Sequence, residues 1–168
     1  MIYPMNALAT DQAKRIAALV ASVPAFAGLR VGLYVGGQAG AFGEGAMMTP
    51  QSCITDRDTL RKHPPDILLT NYKMLDYLML RPKDRQLWAQ NTPTTLRYVV
   101  VDELHTFDGA QGTDLACLIR RMKGRLNAPP GQLICVGTSA TLGDDGASDL
   151  LDFAGDVFGD VECVEKTV

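Results

Sequence analysis

The stretch Leu-Arg-Tyr-Val-Val-Val-Asp-Glu-Leu-His at 96–105 decides the fold of this 168-residue chain. The continuous Val99-Val100-Val101 run predicts a strand over 96–101 that lies parallel to its neighbours and is covered on both faces. Asp102 and Glu103 follow this strand directly. A carboxylate at the end of a buried strand is costly unless it is paired or meets a cation. This position therefore predicts a functional site, with an acidic helix N-terminus as the alternative.

Outward from this strand, apolar runs alternate with segments of helical period. Strands are predicted at 2–3, 30–35, 67–70, 96–101, 133–136 and 161–164. Helices are predicted to follow the caps Thr10 and Thr113, to span 56–63 and 147–158, and to begin directly after 67–70. This alternation indicates an α/β fold, a single domain with a mostly parallel sheet and helices on both faces.

The first predicted helix takes its apolar stripe from Ile16, Leu19, Val20 and Val23, which recur at helical spacing. The segment 36–55 is rich in glycine and small residues and lacks a clear period, which predicts a long loop.

Composition restricts the possible partners. The net charge of −3 and the pI of about 5.3 give no general basic surface for a nucleic acid. No run of about 18 apolar residues and no secretory leader occurs, so we expect no membrane partner and a cytoplasmic protein. The cysteines form no C-x-x-C pair, and we expect them to be reduced thiols.

Polar clusters follow four of the predicted strands, and the carboxyl ends of parallel strands meet at one edge of a sheet. Asp102 at such an end can hold Mg²⁺ through water, while Glu103 can polarise an attacking water. Hydroxyls in the segment Gly-Thr-Ser-Ala-Thr-Leu-Gly at 137–143 can bond to these carboxylates. The alternative for that segment is a loop whose hydroxyls cap a helix.

These clusters resemble four motifs of superfamily 2 DEAD/DEAH-box (DExH) helicases, in the family's order. Asp102-Glu103-Leu104-His105 is similar to motif II, and Ser139-Ala140-Thr141 is similar to motif III. Tyr3-Pro4-Met5-Asn6-Ala7-Leu8-Ala9 resembles motif Ia, and Ile67-Leu68-Leu69-Thr70-Asn71 resembles motif Ib. The resemblance implies a RecA-like lobe of the P-loop NTPase type.

The resemblance also implies roles for individual residues. Asp102 would hold Mg²⁺ through water, and Glu103 would act on the hydrolytic water. His105, with Ser139 and Thr141, would couple the state of the bound nucleotide to the binding of the nucleic-acid strand. The residues implied to bind nucleic acid are Pro4, Asn6, Thr70 and Asn71. Isolated cationic residues can add positive charge to this interface, but such residues more typically belong to a solvated surface. They are Arg15, Arg61, Lys62, Lys73 and Arg81. The implied cofactors are ATP and Mg²⁺, and the implied partner is a single strand of nucleic acid, with DNA favoured over RNA.

The sequence departs from the family in one respect, because no G-x-x-x-x-G-K-[ST] occurs in its 168 residues. The resemblance thus predicts that 1–168 is a partial RecA-like helicase ATP-binding domain. This first lobe would extend from motif Ia to the interlobe linker and lack its P-loop unit. Its further partners would be the missing P-loop segment and a second RecA-like lobe. We expect the isolated chain to be inactive as an ATPase.

Two alternatives remain from the sequence. The chain can be a truncated, non-enzymatic module that binds nucleic acid or a protein partner. It can also be a hydrolase unrelated to helicases, although neither H-E-x-x-H nor G-x-S-x-G occurs.

Overall fold

The structure, a computed structural model, describes residues 1–36, 45–139 and 147–159 of the chain. These residues fall into two compact units, Met1–Gln90 and Asn91–Val168. The strand predicted at 161–164 lies outside the described residues, as does part of the loop predicted at 36–55.

The first unit is a parallel three-stranded sheet with helices on both faces. The strand order is β2-β3-β1, and Val31 pairs with Ile67 while Ile2 pairs with Thr70. Its elements are β1 (Ile2–Tyr3), α1 (Asn6–Ser22), β2 (Val31–Tyr34), α2 (Arg57–Lys62), β3 (Ile67–Asn71) and α3 (Tyr72–Leu80), with short 3-10 helices at Pro24–Phe26 and Pro82–Trp88.

Each face of this sheet has its own core, because alternate strand residues point to opposite sides. One core joins Val31, Leu33 and Leu69 to the buried side of α1. The other joins Tyr34 to residues of α2 and α3, among them Leu60 and Leu78. Coverage of both faces confirms the predicted fold class for this unit.

The predicted start of the first helix was wrong, and its predicted stripe was right only at Val20, which is buried, and at Ile16, which packs against the core. Helix α1 begins at Asn6 after the N-cap Met5, and the Thr10 hydroxyl lies inside it, donating to the Asn6 carbonyl at 2.8 Å. The buried stripe is Ala9, Ala13, Ala17 and Val20, whereas the side chain of Leu19 is exposed. Alanines bring the helix backbone close to the sheet, so the smallest residues form the contact there.

The second unit contains two described strands, which pair in parallel from Tyr98 with Ile134 to Val101 with Gly137. Helix α4 begins after Asp108 rather than at Thr113, whose hydroxyl donates to the Gly109 carbonyl within the helix at 3.3 Å. The elements are β4 (Tyr98–Val101), a 3-10 helix at Leu104–Thr106, α4 (Gly109–Arg125), β5 (Ile134–Gly137) and α5 (Ala147–Phe158).

Strand β4 is buried on one side and only partly covered on the other. Val99 and Val101 are buried, Val100 is half-buried, and Tyr98 at the start of the strand is 60% exposed. The expectation that the valine run is covered on both faces was therefore wrong at the Tyr98 end. In the described part of the chain, no helix is long and apolar enough to cross a membrane.

Candidate active site and candidate nucleic-acid interface

The acidic residues after β4 are tied to the end of β5. The Thr138 hydroxyl donates to Oδ1 of Asp102, and the backbone N–H of Leu104 donates to the Thr138 carbonyl at 2.8 Å. The Thr138 N–H donates in turn to the Val101 carbonyl at 3.0 Å. A hydroxyl therefore meets the carboxylate, as the sequence suggested. It belongs to Thr138, which the motif resemblance did not single out.

Glu103 has a left-handed backbone, with φ 53° and ψ 48°. Residues other than glycine seldom adopt this conformation, and such strain is concentrated at functional sites. Both the N–H and the hydroxyl of Thr106 donate to the Glu103 carbonyl at 2.8 Å, which holds the turn closed. The side chain of Glu103 is 33% exposed, so its carboxylate reaches water.

His105 lies beside both a hydroxyl and a carboxylate. The Ser139 Oγ is 2.8 Å from its Nδ1, and the Glu103 Oε2 is 3.5 Å from the same nitrogen. Because the two groups share one nitrogen, the trio is not a Ser–His–acid relay, which uses both ring nitrogens. The structure thus brings together Asp102, Glu103, His105 and Ser139, while Thr141 lies outside the described residues.

Gly137 allows this turn to lie against β5. A Cβ built there would be 2.5 Å from Cδ2 of Leu104, which is buried next to the acidic pair. Real carbon atoms do not approach so closely, so a side chain at residue 137 would displace Leu104. The lack of a side chain at residue 137 therefore helps to set the position of the acidic turn.

The site residues predicted in the first unit also lie together, where its strands end. The Asn71 amide donates to Oδ1 of Asn6, and the Asn6 amide donates to the Gly36 carbonyl at 2.9 Å. The Asn71 Oδ1 also accepts from the N–H of Met74 at 2.7 Å and so caps α3. Asn6 is exposed, and Pro4, between β1 and α1, is half-buried.

Thr70 faces into the fold. Its side chain is 2% exposed, and its hydroxyl donates to the Tyr34 carbonyl at 2.6 Å. Any contact of Thr70 with a ligand would therefore involve its backbone.

A cluster of buried charge in the first unit was missed from the sequence. The carboxylate of Asp84 is fully buried, with Arg61 at 2.8 Å and Arg81 at 2.6 Å. The Tyr34 hydroxyl donates to it at 3.0 Å. Burial opposes ionisation of Asp84. The hydrogen bonds from Arg61 and Tyr34 and the charges of Arg81 and Arg61 outweigh this, so its pKa lies below the usual range. Arg61 and Arg81 are thus ion-pair partners rather than solvated surface cations.

The donor set after β4 fits Mg²⁺ better than a metal held by protein ligands alone. In the ranges that the structure describes, no three His, Cys, Asp or Glu side chains converge as a metal site. Mg²⁺ is usually held by one or two carboxylates with several waters and substrate phosphates. Asp102 with Glu103 beside it offers such a pair.

Comparison with known proteins places the chain among helicases. The family model for DEAD/DEAH box helicases matches residues 1–150. Druantia protein DruE of Escherichia coli (strain UMEA 4076-1) is 35% identical over 113 residues, which cover 60% of this chain and 6% of that protein. ATP-dependent helicase Lhr-Core of Methanothermobacter thermautotrophicus is 32% identical over 98 residues, which cover 58% and 10%. The chain thus matches a tenth or less of the length of these relatives.

Among solved structures, the crystal structure of the DUF1998 helicase MrfA bound to DNA and AMPPNP is similar, with a TM-score of 0.62. The sequences are 23% identical, and the match covers 95% of this chain and 19% of that chain. At this identity the likeness shows the fold, which is the RecA-like α/β class. Since the family model covers most of the sequence, the chain belongs to the DEAD/DEAH-box helicase family.

Proposed function

We propose that this chain is part of an ATP-dependent nucleic-acid helicase or translocase. In this proposal residues 1–168 are a partial RecA-like ATP-binding domain, the first lobe from motif Ia to the interlobe linker. The observation that carries the proposal is the acidic turn after β4, where Asp102 and His105 are bonded to the hydroxyls of Thr138 and Ser139. Membership of the helicase family supports it.

The residues of the acidic turn have separate tasks in this proposal. Asp102 would hold Mg²⁺ through water, and the ion would neutralise phosphate charge. Glu103 accepts a proton from the hydrolytic water and orients it, since its carboxylate is partly exposed beside Asp102. His105 transmits the state of this turn to Ser139 through their 2.8 Å contact, with Thr141 as the further coupling residue.

The chain alone is expected to be inactive as an ATPase. No P-loop sequence occurs in it, so its residues supply no cradle for the triphosphate. An arginine finger from a second lobe contributes roughly 10³ to 10⁵ in rate in related NTPases. In a phosphate-release assay with ATP, Mg²⁺ and DNA, the chain should therefore release phosphate no faster than the background. Turnover that disappears in Glu103→Gln would overturn this expectation.

The nucleic-acid interface is proposed to be the loops at the strand ends of the first unit, where Pro4, Asn6, Thr70 and Asn71 lie. Among the described residues no side chain caps helix α1, so the N–H groups of its first turn suit phosphate oxygens. This mode of contact fits an acidic chain, because it uses the backbone rather than cationic side chains. The DNA bound to MrfA supports DNA over RNA as the partner.

Fluorescence anisotropy with a labelled oligo-dT tests the interface. Ala7→Pro removes one first-turn N–H in a position where proline is tolerated. We expect it to weaken binding about tenfold, because a charge-assisted hydrogen bond is lost. Ala7→Ser, which keeps the N–H, should bind like the wild type. Unlabelled DNA should compete better than RNA of the same length. Equal binding by both variants would refute the interface.

The second candidate is a non-enzymatic module that binds nucleic acid or a protein partner, favoured by the lack of a P-loop sequence. An immunoblot of source cells with an antibody to this segment separates the two. A product far larger than 18.1 kDa supports a helicase of which this chain is one part. A product of that mass supports the module.

A further inference from the structure

The loops that follow β1, β2 and β3 are joined by one chain of hydrogen bonds. It begins at the backbone N–H of Met74, which donates to Oδ1 of Asn71 at 2.7 Å. The Asn71 Nδ2 donates to Oδ1 of Asn6. The Asn6 Nδ2 then donates to the Gly36 carbonyl at 2.9 Å. The chain thus links the first turn of α3, the first residue of α1 and the loop after β2.

The two ends of this chain fix its direction. A backbone N–H can only donate and a carbonyl can only accept, so each intermediate side chain must accept on the Met74 side and donate on the Gly36 side. An amide meets both demands with a fixed geometry. A carboxylate cannot donate, and the hydroxyl of serine is too short to span the gap between Asn71 and Asn6. The relay therefore requires an amide at both positions.

We propose that Asn6 and Asn71 are positioning residues that act as one relay, which sets the spacing between the loops that grip the nucleic-acid strand. This inference rests on the proposed nucleic-acid interface. The relay holds the start of α1 at a fixed distance from the start of α3, with the Gly36 carbonyl as its anchor, so that successive phosphates of one strand meet both helix starts. Asn6 and Asn71 contribute through each other and through Gly36, not as two separate phosphate contacts.

A double-mutant cycle tests this inference. Asn71→Ser keeps an N-cap acceptor for α3 but cannot reach Asn6, and Asn6→Ala removes the middle of the relay. With labelled oligo-dT as the probe, each single variant should bind about fivefold to tenfold more weakly. The double variant should bind oligo-dT at most about twofold more weakly than the single variant with the lower affinity. The second substitution adds little, because the first has already broken the relay. Losses that multiply would show two independent contacts and overturn the inference, as would singles that bind like the wild type.

A matched control and a DNA-free measurement complete the experiment. Asn91→Ser, in the loop before β4, makes the same chemical change at an asparagine that takes no part in the relay and should leave binding unchanged. In ¹⁵N NMR spectra without DNA, Asn71→Ser should shift the side-chain amide signals of Asn6 and speed their hydrogen exchange. No shift would overturn the relay whatever the binding result. A shift in a chain whose wild type does not bind oligo-dT would refute the proposed interface and, with it, the relay's role in strand binding.

Discussion

Each unit gathers polar contacts around one aspartate, Asp84 in the first and Asp102 in the second. Asp84 is fully buried and held by two guanidinium groups and a phenol. Asp102 is half-buried, and its described contacts include a single hydroxyl donor, that of Thr138. A buried and paired charge stabilises the fold, whereas a half-buried carboxylate with one neutral donor is accessible to a cation. The aspartate of the first unit therefore has a structural role, and we propose a chemical role for that of the second.

The largest contrast is expected between Asp84→Asn and Asp102→Asn. Loss of the Asp84 charge removes the buried counter-ion of the partly buried Arg61 and Arg81, of which Arg61 keeps Asp58, and should cost about 3 kcal/mol of unfolding free energy. The Asp102 variant should cost less than about 1 kcal/mol, because its carboxylate is partly hydrated. Urea unfolding of both variants measures the difference, and equal losses would remove the distinction between the two aspartates.

The same contrast has a pH signature. The pKa of Asp84 is lowered on folding, so the unfolded chain binds more protons in acid. Its stabilisation is complete above about pH 4 to 5 and is lost as pH falls through the folded-state pKa. Between about pH 6 and 3 the wild type should therefore lose more stability than Asp84→Asn. Parallel pH profiles would contradict this assignment.

A smaller effect is expected at the turn that carries Asp102. Gly137→Ala should cost about 2 kcal/mol, because the new methyl group displaces Leu104. Gly124→Ala in α4 is the control, since a Cβ there meets nothing within 4 Å, and it should gain up to about 1 kcal/mol from helix propensity. Thermal unfolding compares the two. A neutral Gly137→Ala would show that the turn moves freely.

The strain at Glu103 can be isolated by comparing two variants that both remove the carboxylate. Glu103→Gly should be more stable than Glu103→Ala by about 1 kcal/mol, because glycine adopts the left-handed conformation without a Cβ penalty. Chemical unfolding of the pair measures it. Equal stabilities would mean that the left-handed turn relaxes once the carboxylate is gone.

The smallest effect is expected at Thr138. Thr138→Val removes the hydroxyl that bonds to Asp102 and should cost less than about 1 kcal/mol, because the residue is exposed. Thr138→Ser keeps the hydroxyl and should be nearly neutral. If the valine variant lost as much stability as Asp84→Asn, Asp102 would belong to the structural class as well.

Much of the fold could be predicted because its signals are local. The valine run before Asp102 identified β4, and the acidic pair that follows it predicts a site at the end of that strand. The buried alanines of α1 could not be predicted, unlike Val20 beside them, since alanine has little hydrophobicity and Leu19 has more. Periodicity favours the larger side chain even where close packing requires the smaller one.

The sequence by itself determined the alternation of strands and helices, the family motifs and the acidic end of β4. Only the tertiary structure decided which groups meet: Thr138 with Asp102, Asn71 with Asn6 across 65 positions, and Tyr34 with Asp84 across 50. The physical reason is that periodicity depends on neighbours within one or two turns. A hydrogen bond between distant residues depends instead on strand register and helix placement, which local patterns do not specify.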